Sequence, residues 1–238
     1  MNISDYEAYI SAETMMGPNS VRILAELLEK YPLQPEPDDM VLDLGCGTGL
    51  TSFVTAKETG AKVFADDLWI SAQENEKRFA RWGAAGQITP VCEDANHLHF
   101  EKKQFCALIS IDSYHYFAGS MGFFQEKILP FLKDDAVALI EVPGLKDEYE
   151  GRAEELLSGW LGEESTLFKS PKRWKELIGN SSRIESVTAW EMDCFREAWE
   201  DWLATDKEFA LNDGKHFDAV IKPYTCFVGI YIRLKGSC

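Results

Sequence analysis

The sequence predicts one α/β domain built on a doubly wound, mostly parallel sheet, with a ligand site at the strand ends. Three observations lead there. Short apolar runs alternate with helical patterns between Met40 and Leu234, the rhythm of βαβ units rather than of hairpins. The first of these runs, Met40–Leu44, breaks into Gly45, Gly47 and Gly49 just where a helical pattern begins. Glycine has no Cβ, so such a turn lets backbone N–H groups approach a ligand closely. Acids stand at or just beyond the runs, at Asp43, Asp66, Asp67, Asp94 and Asp112, and open α/β sheets bind their ligands at the C-terminal strand ends.

The elements follow in order. Val21, Leu24, Leu28 and Tyr31 recur at steps of three and four, which predicts an amphipathic helix over 20–30. Pro32, Pro35 and Pro37 make a stiff connector. The first strand is Met40–Leu44, and its helix runs from Gly49 to Thr59, closed by Gly60. The second strand is Lys62–Asp66. Ser71-Ala72-Gln73-Glu74 is a capping box, opening a helix that stops at Gly83. Strands are expected over 88–92 and 107–112, the latter apolar enough to be covered on both faces. A helix over 121–132, interrupted near Pro130, leads to a strand over 136–142. Helices over 149–161 and 171–178, the second capped by Ser170-Pro171, depart from the rhythm and read as a lid over the sheet's C-terminal edge. The last two strands are expected over 183–191 and 223–234, with a helix around 194–210 between them. Phe195, Trp199, Trp202 and Phe209 fall near helical spacing and read as a core stripe. With Trp160, Trp174 and Trp190 they enrich this half in indole, which could also line a pocket for a cation.

At 238 residues the chain is read as a single domain, residues 1–238, with cap elements at 1–31 and 145–180. Against 24 Lys and Arg stand 40 Asp and Glu, a net charge of −16. That field repels phosphate backbones, so nucleic acid is not expected as a partner, whereas a small neutral or cationic substrate is permitted. No apolar run approaches the ~20 residues of a membrane helix, and Met1–Tyr6 lacks the character of a signal peptide. The expectation is a cytoplasmic protein away from membranes. Cysteines 46, 92, 106, 194, 226 and 238 are scattered, without a C-x-x-C pair, so neither a disulfide framework nor a zinc site is expected. Cys92 and Cys106 sit in strand-like runs and read as buried thiols. His97 and His99 lack a third partner, and no metal is expected.

The glycine spacing identifies the loop further. A dinucleotide-binding loop reads G-x-G-x-x-G, and its third glycine would fall at position 50, where the chain has Leu50. With Asp43 the pattern is D-x-G-x-G-x-G, which resembles the first motif of the class I S-adenosylmethionine-dependent methyltransferases, small-molecule type. The resemblance covers residues 40–143 by specific motifs and the ends by element order alone. It implies a seven-stranded Rossmann-like sheet with the last strand antiparallel, a helical cap insertion, and methyl transfer to a small-molecule acceptor by in-line displacement. It also implies site residues. Asp43, Gly45, Cys46 and Gly47 form the loop; Asp67, at the acid of a V-x-G-x-D-like strand end, takes the ribose hydroxyls; Leu68, with Trp69, flanks the adenine. Glu93–Phe100 resembles G-D-A-x-x-L-P-F, with Glu93 for glycine and His99 for proline, so Asp94, beside Ala95, accepts from the adenine amine. Asp112 takes the methionine amine by its carbonyl or carboxylate, and His115 is base or substrate anchor. Structural roles compete at each position: Asp66 and Asp67 as turn caps, Asp94 as a surface acid, and His115 as hydrogen-bonded among Tyr114 and Tyr116. Glu141 either faces the substrate or pairs within the fold. Tyr6, Tyr9 and Met16 are lid residues or a frayed N-terminus. Two other functions compete: a non-catalytic S-adenosylmethionine-binding module, and a nicotinamide-dependent oxidoreductase, against which Leu50 and the strand-end acids count.

Overall fold

In a computed structural model that describes residues 1–36 and 38–236, seven strands form one sheet. They are β1 (Met40–Leu44), β2 (Lys62–Asp66), β3 (Ile88–Val91), β4 (Phe105–Ile111), β5 (Leu132–Leu145), β6 (Ile184–Glu191) and β7 (Thr225–Leu234). The order is β3-β2-β1-β4-β5-β7-β6, and β7 runs antiparallel to both of its neighbours. The chain reverses on either side of β1, so a crevice opens between the C-terminal ends of β1 and β4. Pro37 of the connector, and Cys238, lie outside the described residues.

Alternation along the strands sorts two apolar layers. Val41, Ile109, Ile111, Leu139 and Phe227 face one side, against α1 (Ser20–Lys30), α2 (Leu50–Thr59), α3 (Ala72–Arg81) and α6 (Phe195–Leu203). Leu42, Leu108, Ile140 and Val228 face the other, against the turns over 124–131 and α5 (Pro171–Ile178). Asp43 and Glu141 project into the first layer, and both are fully buried. The capping box of α3 forms with both of its hydrogen bonds. Gly60 ends α2 in the left-handed conformation, φ 73°.

Several expectations are corrected. The helix over 121–132 is a π turn, Phe124–Ile128, followed by a 3-10 turn, Leu129–Phe131. Pro130 supplies no N–H and crowds the preceding turn, and Arg183 takes up the carbonyls of Leu129 and Leu132 at 2.8 and 2.7 Å. The helix around 194–210 divides into α6 and α7 (Glu208–His216), parted at Asp206, which has φ 55°. Phe209 falls on α7 and is 76 % exposed, so it leaves the core stripe that Trp199 and Trp202 hold. α5 buries Trp174 in the sheet layer and α1 buries five apolar residues in the opposite one. α4 (Ala153–Leu161) instead forms a satellite cluster with Leu145, Phe168 and the chain near Val220. Cys92, just beyond β3, is exposed, and Cys106, at an irregularity between Phe105 and Ala107 in β4, is half-buried. No helix among the described residues is long and apolar enough to cross a membrane.

Candidate functional site

The crevice is a cavity of about 520 Å³ between the glycine loop, the ends of β2 and β4, the turn after β3, and residues 14–18. The loop's shape depends on glycine. Gly45, Gly47 and Gly49 have φ of 75°, 55° and 80°, where a side chain is strained. A Cβ at Gly45 would stand 2.3 Å from the Ser113 hydroxyl, and one at Gly49 would stand 2.4 Å from the Phe79 ring. The loop is held from behind. Gly45 and Cys46 donate their N–H groups to the Asp66 carbonyl at 2.8 and 3.0 Å. Asn75 of α3, fully buried, donates to the Gly47 carbonyl at 2.9 Å. Thr48 donates to the Thr14 carbonyl at 2.6 Å, fastening the N-terminal segment as a roof.

Of the residues expected at the site, Gly45, Cys46, Gly47, Asp67, Leu68, Asp94, Ala95 and Asp112 line this one cavity. Asp43 does not. It lies behind the loop, where one carboxylate oxygen accepts from the hydroxyls of Thr51 and Ser52, each at 2.6 Å. Burial pushes its carboxyl up to about 6. His115 is also outside the lining. It is 3 % exposed, tilted against Tyr116 with ring centroids 4.0 Å apart, and its Nδ1 has no partner. Burial, and then the charge of Lys169, holds it down to about 3, an uncharged imidazole at neutral pH. Tyr6 and Tyr9 pack on Phe53 behind α2, whereas Met16 reaches the cavity over Gly47.

Asp67 organises the β2 end. One oxygen accepts from the Gly47 N–H at 2.7 Å, the other from Trp69 and Ile70 N–H groups at 2.8 Å each. A carboxylate has about four acceptor sites, so it retains capacity toward the cavity. Asp66, fully buried, accepts from the Glu93 N–H at 2.8 Å and leaves its second oxygen unpaired. Burial, with the charges of Glu93, Asp67 and Asp43, pushes it up to about 7. Asp94 is held down to about 2 by the N–H and amide of Asn96 and by His97. Asp112 has φ 51°, and its N–H donates to Glu141 Oε2 at 3.0 Å. No group among the described residues hydrogen-bonds the Asp112 carboxylate. Burial and then the charge of Asp213 push it up to about 7. Leu68 and Trp69 form an exposed apolar rim, with Trp69 edge-on to Tyr116 at 5.2 Å.

Five acids line the cavity (Asp66, Asp67, Glu93, Asp94 and Asp112), and no Lys or Arg does. Sequence patterns missed Asn75, Gly17 and Asp213. Asn75 could have been found, as a polar residue at a buried helix position; Gly17, whose Cβ would sit 2.6 Å from Asp112, and Asp213 depend on tertiary placement alone.

Residues 41–134 match the family model described as a methyltransferase domain. No curated protein sequence matches the chain. Among solved structures, a phosphoethanolamine N-methyltransferase from Haemonchus contortus, in complex with S-adenosylmethionine, superposes with TM-score 0.72 at 20% identity. The match covers 99% of this chain and 57% of that one. A geranyl diphosphate C-methyltransferase from Streptomyces coelicolor, in complex with Mg²⁺, a substrate analogue and S-adenosylhomocysteine, superposes with TM-score 0.68 at 16% identity, over 89% of this chain and 75% of that one.

Proposed function

We propose that the chain is a class I methyltransferase that transfers a methyl group from S-adenosylmethionine to a small-molecule acceptor; the match of residues 41–134 to a methyltransferase-domain model and the shared fold support this reading. The observation that carries this reading is the cavity's charge: five carboxylates and no basic side chain against a glycine loop. A sulfonium with an ammonium group suits such a wall, whereas the pyrophosphate of a dinucleotide would be repelled by it. When bound, S-adenosylmethionine supplies a methyl group already activated on a sulfonium.

The chain's own residues then bind and orient. Asp67 accepts from the ribose hydroxyls with its remaining lone pairs, fixed in aim by the three N–H groups it already holds. Asp94 accepts from the adenine amine. Leu68 and Ala95 flank the ring. Gly45 and Gly47 give the methionine end a backbone without side chains, Cys46 completes that turn, and the Asp112 carbonyl meets the methionine amine. Asp43 acts through the loop, tying it to the start of α2 by Thr51 and Ser52. His115 acts from behind the lining, packed on Tyr116, and helps to hold the acceptor in line rather than taking its proton.

Thermal unfolding tests the reading, with S-adenosylmethionine, S-adenosylhomocysteine and NAD each at a hundredfold excess over Kd. A ligand of the folded state should stabilise it by about 2.7 kcal/mol. The two sulfur compounds should raise the midpoint and Asp67→Ala should abolish the rise. Stabilisation by NAD alone would overturn the assignment. Binding with no methyl gain by mass across an acceptor panel would favour a non-catalytic module.

A further inference from the structure

The turn that follows β4 walls the cavity between the glycine loop and the roof. A Cβ at Gly45 would strike Ser113, and one at Gly17 would stand 2.6 Å from Asp112 Oδ2. Ser113 donates to the Leu44 carbonyl at 3.0 Å, and its hydroxyl lies 2.9 Å from that of Ser110. Between these contacts Asp112 adopts φ 51°, in the left-handed region that an L-residue enters at a cost. β4 ends one residue earlier, where Ile111 pairs with Glu141 of β5. The Asp112 N–H meets two acceptors there, the Glu141 carbonyl at 3.2 Å and Glu141 Oε2 at 3.0 Å.

The second acceptor has no part in the ladder. The carbonyl alone satisfies the Asp112 N–H, and an apolar residue at position 141 would keep that bond. Glu141 is nonetheless fully buried, leaves Oε1 without a partner and stays outside the cavity lining. Burial, and then the charge of Asp112, push its carboxyl well above the usual carboxylate range. Such a group lowers the stability of the fold, and its one hydrogen bond falls on the residue that bends into the cavity. Backbone held in such conformations clusters at binding sites. We infer that Glu141 is a positioning residue for S-adenosylmethionine: its side chain holds Asp112 in the left-handed turn that sets it against the methionine amine, an inference that rests on the methyltransferase reading. Glu141 itself touches no ligand. It acts on the amino-acid end of the cofactor, and the adenine and ribose contacts, carried after β3 and β2, do not depend on it.

Calorimetric titration with two probes tests the inference. S-adenosylhomocysteine carries the methionine end; methylthioadenosine shares its adenine, ribose and sulfur and lacks the amino-acid group. The wild type should prefer S-adenosylhomocysteine. Glu141→Met keeps the bulk of the side chain without its acceptor. It should weaken S-adenosylhomocysteine about tenfold and hold methylthioadenosine within about twofold, which also shows that the variant folds. Glu141→Gln keeps an acceptor oxygen and should retain the wild-type preference within about twofold. Where Glu141→Met binds neither probe, Glu141→Asp takes its place: a carboxyl one methylene shorter withdraws from the Asp112 N–H, and the same selective loss is expected. Equal weakening of both probes in a folded variant, unchanged S-adenosylhomocysteine affinity, or loss of the preference in Glu141→Gln overturns the inference and leaves methyl transfer standing. Equal binding of the two probes by the wild type removes Asp112 from the methionine amine, and the role of Glu141 with it. Failure of the wild type to bind S-adenosylhomocysteine overturns the parent reading first.

Discussion

Asp66→Asn should cost stability in acid and recover it as pH rises. Asp66 is fully buried and one oxygen is unpaired, so its carboxyl is pushed from 3.8 up to about 7. The folded state therefore favours the neutral acid. The stability this group contributes is whole below pH 3.8 and drains away as pH rises to about 7. Each tenfold gain in proton affinity on folding corresponds to about 1.4 kcal/mol, so the full loss is about 4 kcal/mol, of which roughly 2.5 falls between pH 5 and 8. Asparagine removes the charge and keeps an oxygen for the Glu93 N–H. The backbone carbonyl that receives Gly45 and Cys46 is unaltered. Its new amide N–H group, at the unpaired position, costs about 1–3 kcal/mol at every pH. Urea unfolding of both proteins at pH 5 and 8 measures the difference of differences, in which titrations common to both cancel. The variant should gain roughly 2.5 kcal/mol on the wild type between the two pH values. A change below about 0.5 kcal/mol, the ordinary error of additivity, would refute the argument that Asp66 is held neutral by burial.

Gly49→Ala should destabilise the fold by about 2–4 kcal/mol in urea unfolding, because left-handed backbone and a Cβ 2.4 Å from the Phe79 ring act together; a loss under about 1 kcal/mol would contradict that packing. His115→Asn removes a group held down to about 3, so the wild type alone should lose stability as pH falls from 6.5 toward that value. Turnover in the same variant should drop about tenfold with S-adenosylhomocysteine affinity unchanged, as expected of a residue that orients the acceptor through Tyr116, and unchanged turnover would remove His115 from the mechanism. The stabilisation by S-adenosylmethionine minus that by S-adenosylhomocysteine isolates the sulfonium charge; it should grow from pH 5 to pH 8 as Asp66 and Asp112 ionise, and a flat difference would mean these acids do not face the sulfur.

The cofactor half is legible in the sequence because its constraints are local. Gly45, Gly47 and Gly49 are needed for left-handed backbone within five residues, and Ser71 and Glu74 cap a helix within one turn. The strands Met40–Leu44 and Lys62–Asp66 match their expected bounds for the same reason: both are short, have an apolar centre and carry a glycine turn at one end. The cap half is not legible. Whether Trp174 or Trp160 faces the sheet or a pocket depends on which side of β5 the chain turns to, and helical spacing does not carry that choice. Asp213 acquires its surroundings from Trp160, 53 residues earlier, and Trp202, 11 residues earlier. Pro130 signals an interruption, yet the turns that result are also held by Arg183, whose guanidinium reaches the Leu129 and Leu132 carbonyls from more than 50 residues away.

The acids that local patterns pick out and those that only tertiary placement picks out share one physical property. Asp43, Asp66, Asp112 and Glu141 are all raised by burial, although any of them could be replaced by an apolar residue of similar size. Burying them lowers the stability of the unliganded fold. Their partners do not offset the burial: Asp43, Asp66 and Glu141 each keep one buried oxygen without a donor. They cluster at the C-terminal ends of three strands, β2, β4 and β5, and within β1 just behind the loop, rather than across the sheet. A fold under selection for stability alone would not concentrate so many buried acids, held toward their neutral forms, at one edge. Asp66 and Asp112 line the cavity, where the sulfonium ligand proposed above favours their charged forms and offsets part of that cost.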